Sequence, residues 1–247
     1  MRICSWNVRG CNNPLKLREV MDFLKRNHID VFGILETRIR QGKVSKALDK
    51  FMSYRVISNY QHHLNGRIWV LWNLVTVCVQ VVEIHGQFIH CYVVHNSTGV
   101  FFHATFVYAS NDPIARRVLW SSLHQLCGTV QEWSVLEDFN VTRDNAERIS
   151  SSPSCLSDML DFNACLLGCG LDDLNCTGCE FTWSNKHEEP NRVWCKLDRA
   201  LINDPWIRKF PSSSAIFMPA GISDHSPAMV TIFEERIPKA KFSFLNC

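Results

Sequence analysis

Trp133-Ser134-Val135-Leu136-Glu137-Asp138-Phe139-Asn140 decides the reading of the fold. Its first four residues have the length and composition of a buried strand, which runs out into two acids, an aromatic ring and an amide. Polar groups at a strand exit are where a layered fold assembles a site. Upstream, Asp112-Pro113 opens a helix with Leu119, Leu123 and Leu126 on one face; downstream, Leu156, Met159, Leu160 and Leu167 mark another. The same alternation opens the chain. Arg2 to Trp6 reads as a strand, and Pro14 starts a helix with Leu17, Val20, Met21 and Leu24 as its stripe. Asn27 and His28 close that helix, and Ile29 to Leu35 forms a buried strand ending at Glu36.

Between the two units the pattern is β-rich. Trp69 to Trp72, Val75 to Val82, Phe88 to Val94 and Val100 to Val107 read as neighbouring antiparallel strands. Asn65-Gly66, His85-Gly86 and Asn96 to Gly99 supply the turns. Further strands are expected at Phe181 to Trp183, Arg192 to Leu201 and Ala228 to Phe233, with a short helix from Asp204-Pro205 carrying Trp206 and Phe210. Two such halves predict an α/β four-layer sandwich, in which two packed, mainly antiparallel sheets are flanked by helices. It is read as one domain over residues 1–235, with 236–247 as a tail.

Composition sets limits without choosing a substrate. The 247 residues are 46% hydrophobic and 20% charged with a formal net charge of +2, an ordinary globular balance in which any basic surface must be local. The first residues lack the apolar core of a secretory signal, and the most apolar region, Ile68 to Ile84, is interrupted by Asn73, Thr76 and Gln80. An intracellular protein without a membrane span is expected. Twelve irregularly spaced cysteines then read as free thiols. Cys165, Cys169, Cys176 and Cys179 have the makings of a four-thiolate zinc site, but Cys165 and Cys169 fall in a helical pattern with Leu166 and Leu167, where cysteine serves as a small core residue. They are read as core.

Glu36, after the apolar run Val31 to Leu35, is either a solvated loop acid or a hard oxygen ligand for Mg²⁺, which typically takes about one or two protein carboxylates and keeps several waters. Asp138 and Asn140 are two apart on an extended segment and face the same way, with Phe139 turned into the core; an Asx turn is the plain alternative. Ser223-Asp224-His225 offers a histidine able to give a hydrogen bond or a proton to a phosphoryl oxygen. Its orienting acid must be distant in sequence, because Asp224 as immediate neighbour faces the opposite way. Asp198, between Leu197 and Arg199, is available, which leaves Asp224 free to act near a metal or the attacking water. This inventory suits metal-assisted phosphodiester hydrolysis.

Taken together, Ser5-Trp6-Asn7-Val8-Arg9-Gly10, Leu35-Glu36-Thr37, Val107-Tyr108-Ala109, Asp138-Phe139-Asn140, Phe181-Thr182-Trp183-Ser184-Asn185, Lys196-Leu197-Asp198-Arg199 and Ser223-Asp224-His225-Ser226-Pro227 cover almost the whole chain. In that order the chain resembles the endonuclease/exonuclease/phosphatase superfamily, and more narrowly the apurinic-type endonuclease domain of plant non-LTR retrotransposons (LINE-type). The resemblance implies that Glu36 binds the metal, with Asn7 helping to hold the site and Asp224 beside it. It implies that Asp138 aligns or deprotonates water, that Asn140 and Tyr108 contact the scissile phosphate, and that Asn185 belongs to the substrate-binding set. His225, oriented by Asp198, would stabilise the pentacovalent phosphate. The cofactor implied is Mg²⁺, with Mn²⁺ as a substitute, and the partner is double-stranded DNA in the nucleus. In-line attack by water would leave a 3′-hydroxyl that primes reverse transcription. The tail at 236–247 resembles the junction to a reverse transcriptase domain present in such relatives and absent from this sequence.

Two departures stand out. Glu137 replaces the glycine that such relatives carry before Asp-Phe-Asn, so a glycine-only backbone there would weaken activity. Arg9 stands where repair-type relatives carry an acid. Trp69, Trp72, Arg67, Arg143 and Arg148 are candidates for gripping DNA, although tryptophans at strand spacing are more often core. A phosphatase acting on a small phosphoester, and a decayed remnant that binds nucleic acid or protein without cutting, are the competing readings.

Overall fold

The two strand–helix–strand units are built as their start signals direct. Asn13 caps α1 (Pro14–Arg26) by accepting from the Leu15 N–H, and Asp112 caps the later helix by accepting from Ile114 and Ala115; a proline follows each cap. A computed structural model describes residues 1–51, 53–63, 67–150 and 155–233. The Asn65-Gly66 turn and the tail at 236–247 lie outside the described residues.

In chain order the first half carries β1 (Arg2–Asn7), α1, β2 (Val31–Leu35), α2 (Val44–Leu48), β3 (Tyr54–Ser58), β4 (Ile68–Asn73), β5 (Val77–Ile84), β6 (Phe88–His95) and β7 (Phe101–Tyr108). Then come α3 (Pro113–Cys127), β8 (Trp133–Asp138), β9 (Arg148–Ile149), α4 (Leu156–Cys169), β10 (Leu171–Asp173), β11 (Cys176–Gly178), β12 (Trp183–Ser184) and β13 (Trp194–Cys195). The chain continues through β14 (Asp198–Asn203), α5 (Asp204–Lys209), β15 (Ser214–Phe217) and β16 (Ala228–Thr231). The first sheet has the order β11-β15-β16-β1-β2-β4-β3 and the second β10-β14-β8-β7-β6-β5; β12, β13 and β9 make a small third sheet. Most pairs are antiparallel; β1/β2 and β7/β8 are parallel because α1 and α3 return the chain to the starting edge, and β11/β15 is parallel as well.

The layers follow from what each face buries. Ile3, Val31, Val70, Val93, Phe102, Phe106, Leu136 and Val230 fill the space between the sheets. Leu119, Leu123, Trp133, Phe139 and Phe162 seal the second sheet to α3 and α4, while Val20, Leu24, Phe32, Trp69 and Leu71 seal the first to α1. This is the expected four-layer α/β sandwich. Gly33 sets the inter-sheet distance, since a Cβ there would come 2.3 Å from the Phe106 ring.

Two expectations need correction. The runs after Trp69 are not one meander: β4 pairs with β2 and β3, and the chain then crosses through Leu74 to Thr76 so that β5 joins β6 in the other sheet. Antiparallel patterning fixes which residues face a core, but two stacked sheets share one core, so it does not say which sheet a strand joins. The helix marked by Leu156, Met159, Leu160 and Leu167 forms as α4; its buried face is Met159, Phe162, Cys165, Leu166 and Cys169, with Leu156, Leu160 and Leu167 exposed. In a helix so rich in apolar residues the leucines alone do not mark the buried side. Trp69 is buried in the core between the first sheet and α1, and half-buried Trp72 packs on the opposite face against the core between the sheets. Among the described residues no helix is long and apolar enough to cross a membrane.

Candidate active site

Four strand ends meet at one edge of the sandwich. β1 ends at Asn7, β7 at Tyr108 and β8 at Asp138, with Glu36 immediately after β2; β14 begins there at Asp198. The approach to the last strand brings in the sixth group. Residues 223–226 lead into β16 beside β1, and Trp183 of β12 forms a bridge with His225 that fixes this segment from outside.

Asp198 lies opposite Asp138 in the β14–β8 register, and both are buried. The Nδ1 atom of His225 is 3.0 Å and 3.1 Å from the two Asp198 oxygens, and its Nε2 is 4.0 Å from Asp138 Oδ2. Burial alone would keep the imidazole neutral, but Asp198 and Asp138 outweigh it and hold the pKa at about 9. The imidazole is therefore a cation at neutral pH. Burial, with Asp198 adding to it, pushes the Asp138 carboxyl up to about 7 against the pull of His225. Asp138 Oδ2 accepts from Asn7 Nδ2 at 2.8 Å, and its Oδ1 accepts from the Asn140 N–H at 3.0 Å. The second bond is an Asx turn, which orients Asp138 and does not compete with it. Asn140, at φ 51°, donates its own amide to the Ala109 carbonyl, while Phe139 is wholly buried, as expected.

Glu36, also at positive φ, reaches a cleft of about 510 Å³ lined by Asn12, Glu36, Arg38, Arg40, Arg67, Tyr108 and Asn111. Arg38 pairs with its carboxylate, and the Arg67 guanidinium lies 5.6 Å from the Tyr108 ring centre. Burial, then the nearby Glu36 and Asp138, push the Tyr108 phenol up, so it stays a hydrogen-bond donor. Asp224 is paired with Arg9 and accepts from Trp183 Nε1 at 3.0 Å; burial would raise its carboxyl, but His225 and Arg9 hold it low. Arg38 and Arg40 were not among the residues expected from the sequence: a lone arginine in a polar loop carries no signal of where it points.

Some expected residues are engaged elsewhere. Asn7 turns its NH₂ to Asp138 and its oxygen to the Arg9 N–H, so it positions Asp138. Asn185 accepts from His187 and Val193 and donates to the Asn191 carbonyl, which organises its own loop. Arg143 is paired with Asp172 and Asp173. Glu36 and Asp224 offer hard oxygen donors of the kind a divalent cation of the Mg²⁺ type takes, and each is paired with an arginine, Arg38 and Arg9. The ligand atoms of Asp138, Asp198 and His225 also lie within 4.8 Å of one another, although hydrogen bonding already accounts for that grouping.

Glu137 behaves as its replacement of glycine predicts. Its φ is 103°, a region costly for any residue with a Cβ, and its side chain is wholly buried. Oε1 accepts from the Asn7 N–H at 3.1 Å, while Oε2 has no partner. Burial, reinforced by Asp198, holds this carboxyl protonated well above the usual range.

The architecture has known counterparts. The 3′-5′ exonuclease NExo from Neisseria meningitidis superposes with a TM-score of 0.70 at 18% identity, covering 95% of this chain and 100% of that one. The endonuclease domain of TRAS1, a telomere-specific non-LTR retrotransposon, gives 0.69 at 13% identity over 95% and 99%. A mannosyl-6-phosphatase from Bacteroides thetaiotaomicron gives 0.61 at 13% over 95% and 100%. No curated protein sequence matches significantly. The model of the Endonuclease/Exonuclease/phosphatase family matches residues 4–225, where every strand end of the site lies, and the chain belongs to that family of phosphoester hydrolases.

Proposed function

We propose that the chain is a Mg²⁺-dependent endonuclease that nicks double-stranded DNA and derives from a retrotransposon. The observation that carries the choice of substrate is the cleft at Glu36, where Arg38, Arg40 and Arg67 converge around one acid. Three guanidiniums suit a polyanionic backbone with several phosphates in reach. Arg67 and Arg38 clamp phosphate oxygens, and Tyr108 donates its phenol proton to one of them. His225, charged and tethered through Nδ1 to Asp198, presents Nε2–H to the charge that develops on phosphorus-bound oxygen. Asp138, held by Asn7 and by its Asx turn, accepts a proton from the attacking water. Glu36 and Asp224 would hold the cation, which when bound neutralises charge on the phosphate and on the leaving oxygen.

The test is supercoiled plasmid incubated with purified protein in Mg²⁺ or EDTA, beside Glu36→Gln and His225→Ala. Metal-dependent relaxation lost in both variants supports the reading. Hydrolysis of a sugar or inositol phosphate without nicking would replace it with a phosphatase. The strain at Glu137 favours the decayed remnant as the second reading, and silence of the parent and of Glu137→Gly on every phosphoester would establish it.

A further inference from the structure

α3 and α4 run side by side in the same direction. Arg116 pairs with Asp158 and Arg117 with Asp161 near their starts, the Cys165 thiol is 3.9 Å from the Trp120 carbonyl further along, and His124 meets Cys169 at their ends. Both last turns therefore converge on one spot. One imidazole nitrogen of His124 and the sulfurs of Cys165 and Cys169 lie within 4.8 Å of one another there. The approach depends on Gly168, where a Cβ would come 2.2 Å from His124 Cε1. Cys127, one turn beyond His124, lies against Cys169 while its thiol donates to the His124 carbonyl at 3.1 Å.

We propose that His124, Cys165 and Cys169, with Cys127 as fourth donor, form a structural Zn²⁺ site that pins α3 to α4. Thiolate and imidazole donors together select zinc over Mg²⁺, and two such pairs at spacings of three and four residues on facing helices match structural sites. With Zn–S near 2.3 Å and Zn–N near 2.0 Å, tetrahedral geometry places a sulfur and a nitrogen ligand about 3.6 Å apart. The separation of Cys169 Sγ and His124 Nδ1 is 3.6 Å. The helix field adds to this. The C-terminal turns of both helices carry partial negative charge, so a cation is favoured at this end of the pair. His124 is exposed, which gives the ion a path in. The cysteines that sequence spacing grouped with this pair go elsewhere, Cys176 lying exposed on β11 of the other sheet.

The test uses the full chain, reduced with a phosphine and stripped with chelator, then titrated with Co²⁺ and with Zn²⁺ against a chromogenic competitor. One equivalent should bind with the sulfur-to-cobalt charge-transfer absorption of tetrahedral thiolate coordination, displaced by Zn²⁺, and the thermal midpoint should rise with metal. His124→Ala, at an exposed position, should fold normally and weaken binding by at least tenfold. Cys165→Ser/Cys169→Ser should abolish the absorption, and Cys176→Ser should leave it unchanged. Absence of thiolate absorption in the parent, or its loss in Cys176→Ser, would overturn the proposal. So would a Cys127–Cys169 disulfide that persists after reduction and excludes metal.

Discussion

Asp198 and Asp138 face each other in register on neighbouring strands, two buried carboxylates in a position where like charges repel, and the imidazole of His225 holds them together. The arrangement fixes the proton on the imidazole and makes the triad one electrostatic unit.

Replacing Asp198 with Asn removes the strongest upward pull on His225. Its pKa should fall from about 9 toward the ordinary histidine value, as read by an NMR titration of the imidazole. Nicking at neutral pH should drop by roughly 10²–10³, the scale of removing one preorganised donor. An unchanged imidazole titration would show that Asp198 does not set the charge.

Stability should decline as pH rises. His225 has a folded pKa above its unfolded value, so its contribution is complete below about 6.5 and is lost as pH rises toward about 9. Asp138, raised to about 7, acts in the same direction at lower pH: its stabilising proton is lost between about 4 and about 7. Chemical denaturation of the metal-free protein should lose on the order of 2 kcal/mol between pH 6.5 and 9. His225→Gln should flatten that window, and a parent profile already flat there would contradict the assignment.

Glu137→Gly should stabilise the fold. It relieves a backbone at φ 103° and removes a carboxyl oxygen without a partner. Each effect is worth about 1–3 kcal/mol, partly offset by the space the side chain vacates and by the lost partner of the Asn7 N–H. A net gain of about 1 kcal/mol raises the melting temperature by roughly 2–4 °C in a chain of this size. Nicking should rise at least tenfold. A higher melting temperature without faster cleavage would show that the strain stays in the backbone and never reaches Asp138.

Arg40 and Arg67 line the cleft and should act through phosphate charge. In each alanine variant, the slope of log affinity for duplex DNA against log salt should lessen by about 0.9. The loss should be the same for unrelated DNA sequences. A sequence-dependent loss would instead place the arginine against base edges.

The strand ends bearing Glu36 and Asp138 were legible because a buried strand and its exit have a local signature. Asp198 was legible as the partner of His225 because alternation along an extended segment rules out Asp224. Tertiary choices were not legible in this way. The passage of the chain between sheets at Leu74 to Thr76, and the buried face of α4, depend on what lies opposite. β15 escaped notice because its alternating Ser214 to Phe217 is only four residues long. Cys165 and Cys169 were read correctly as helical and buried, but their neighbour His124 lies 41 positions before Cys165 and is brought close only by the parallel pairing of α3 and α4.

The pairing of β16 with β1 joins the end of the described chain to its beginning. His225 precedes that final strand, so a ribosome that has made the sheet edges bearing Asn7, Glu36, Tyr108 and Asp138 has still produced no imidazole to set among them. Synthesis itself thus acts as a safety catch. Translation products broken off before residue 225 lack the cation that holds the carboxylate pair, and a prematurely stopped message yields protein without the complete site.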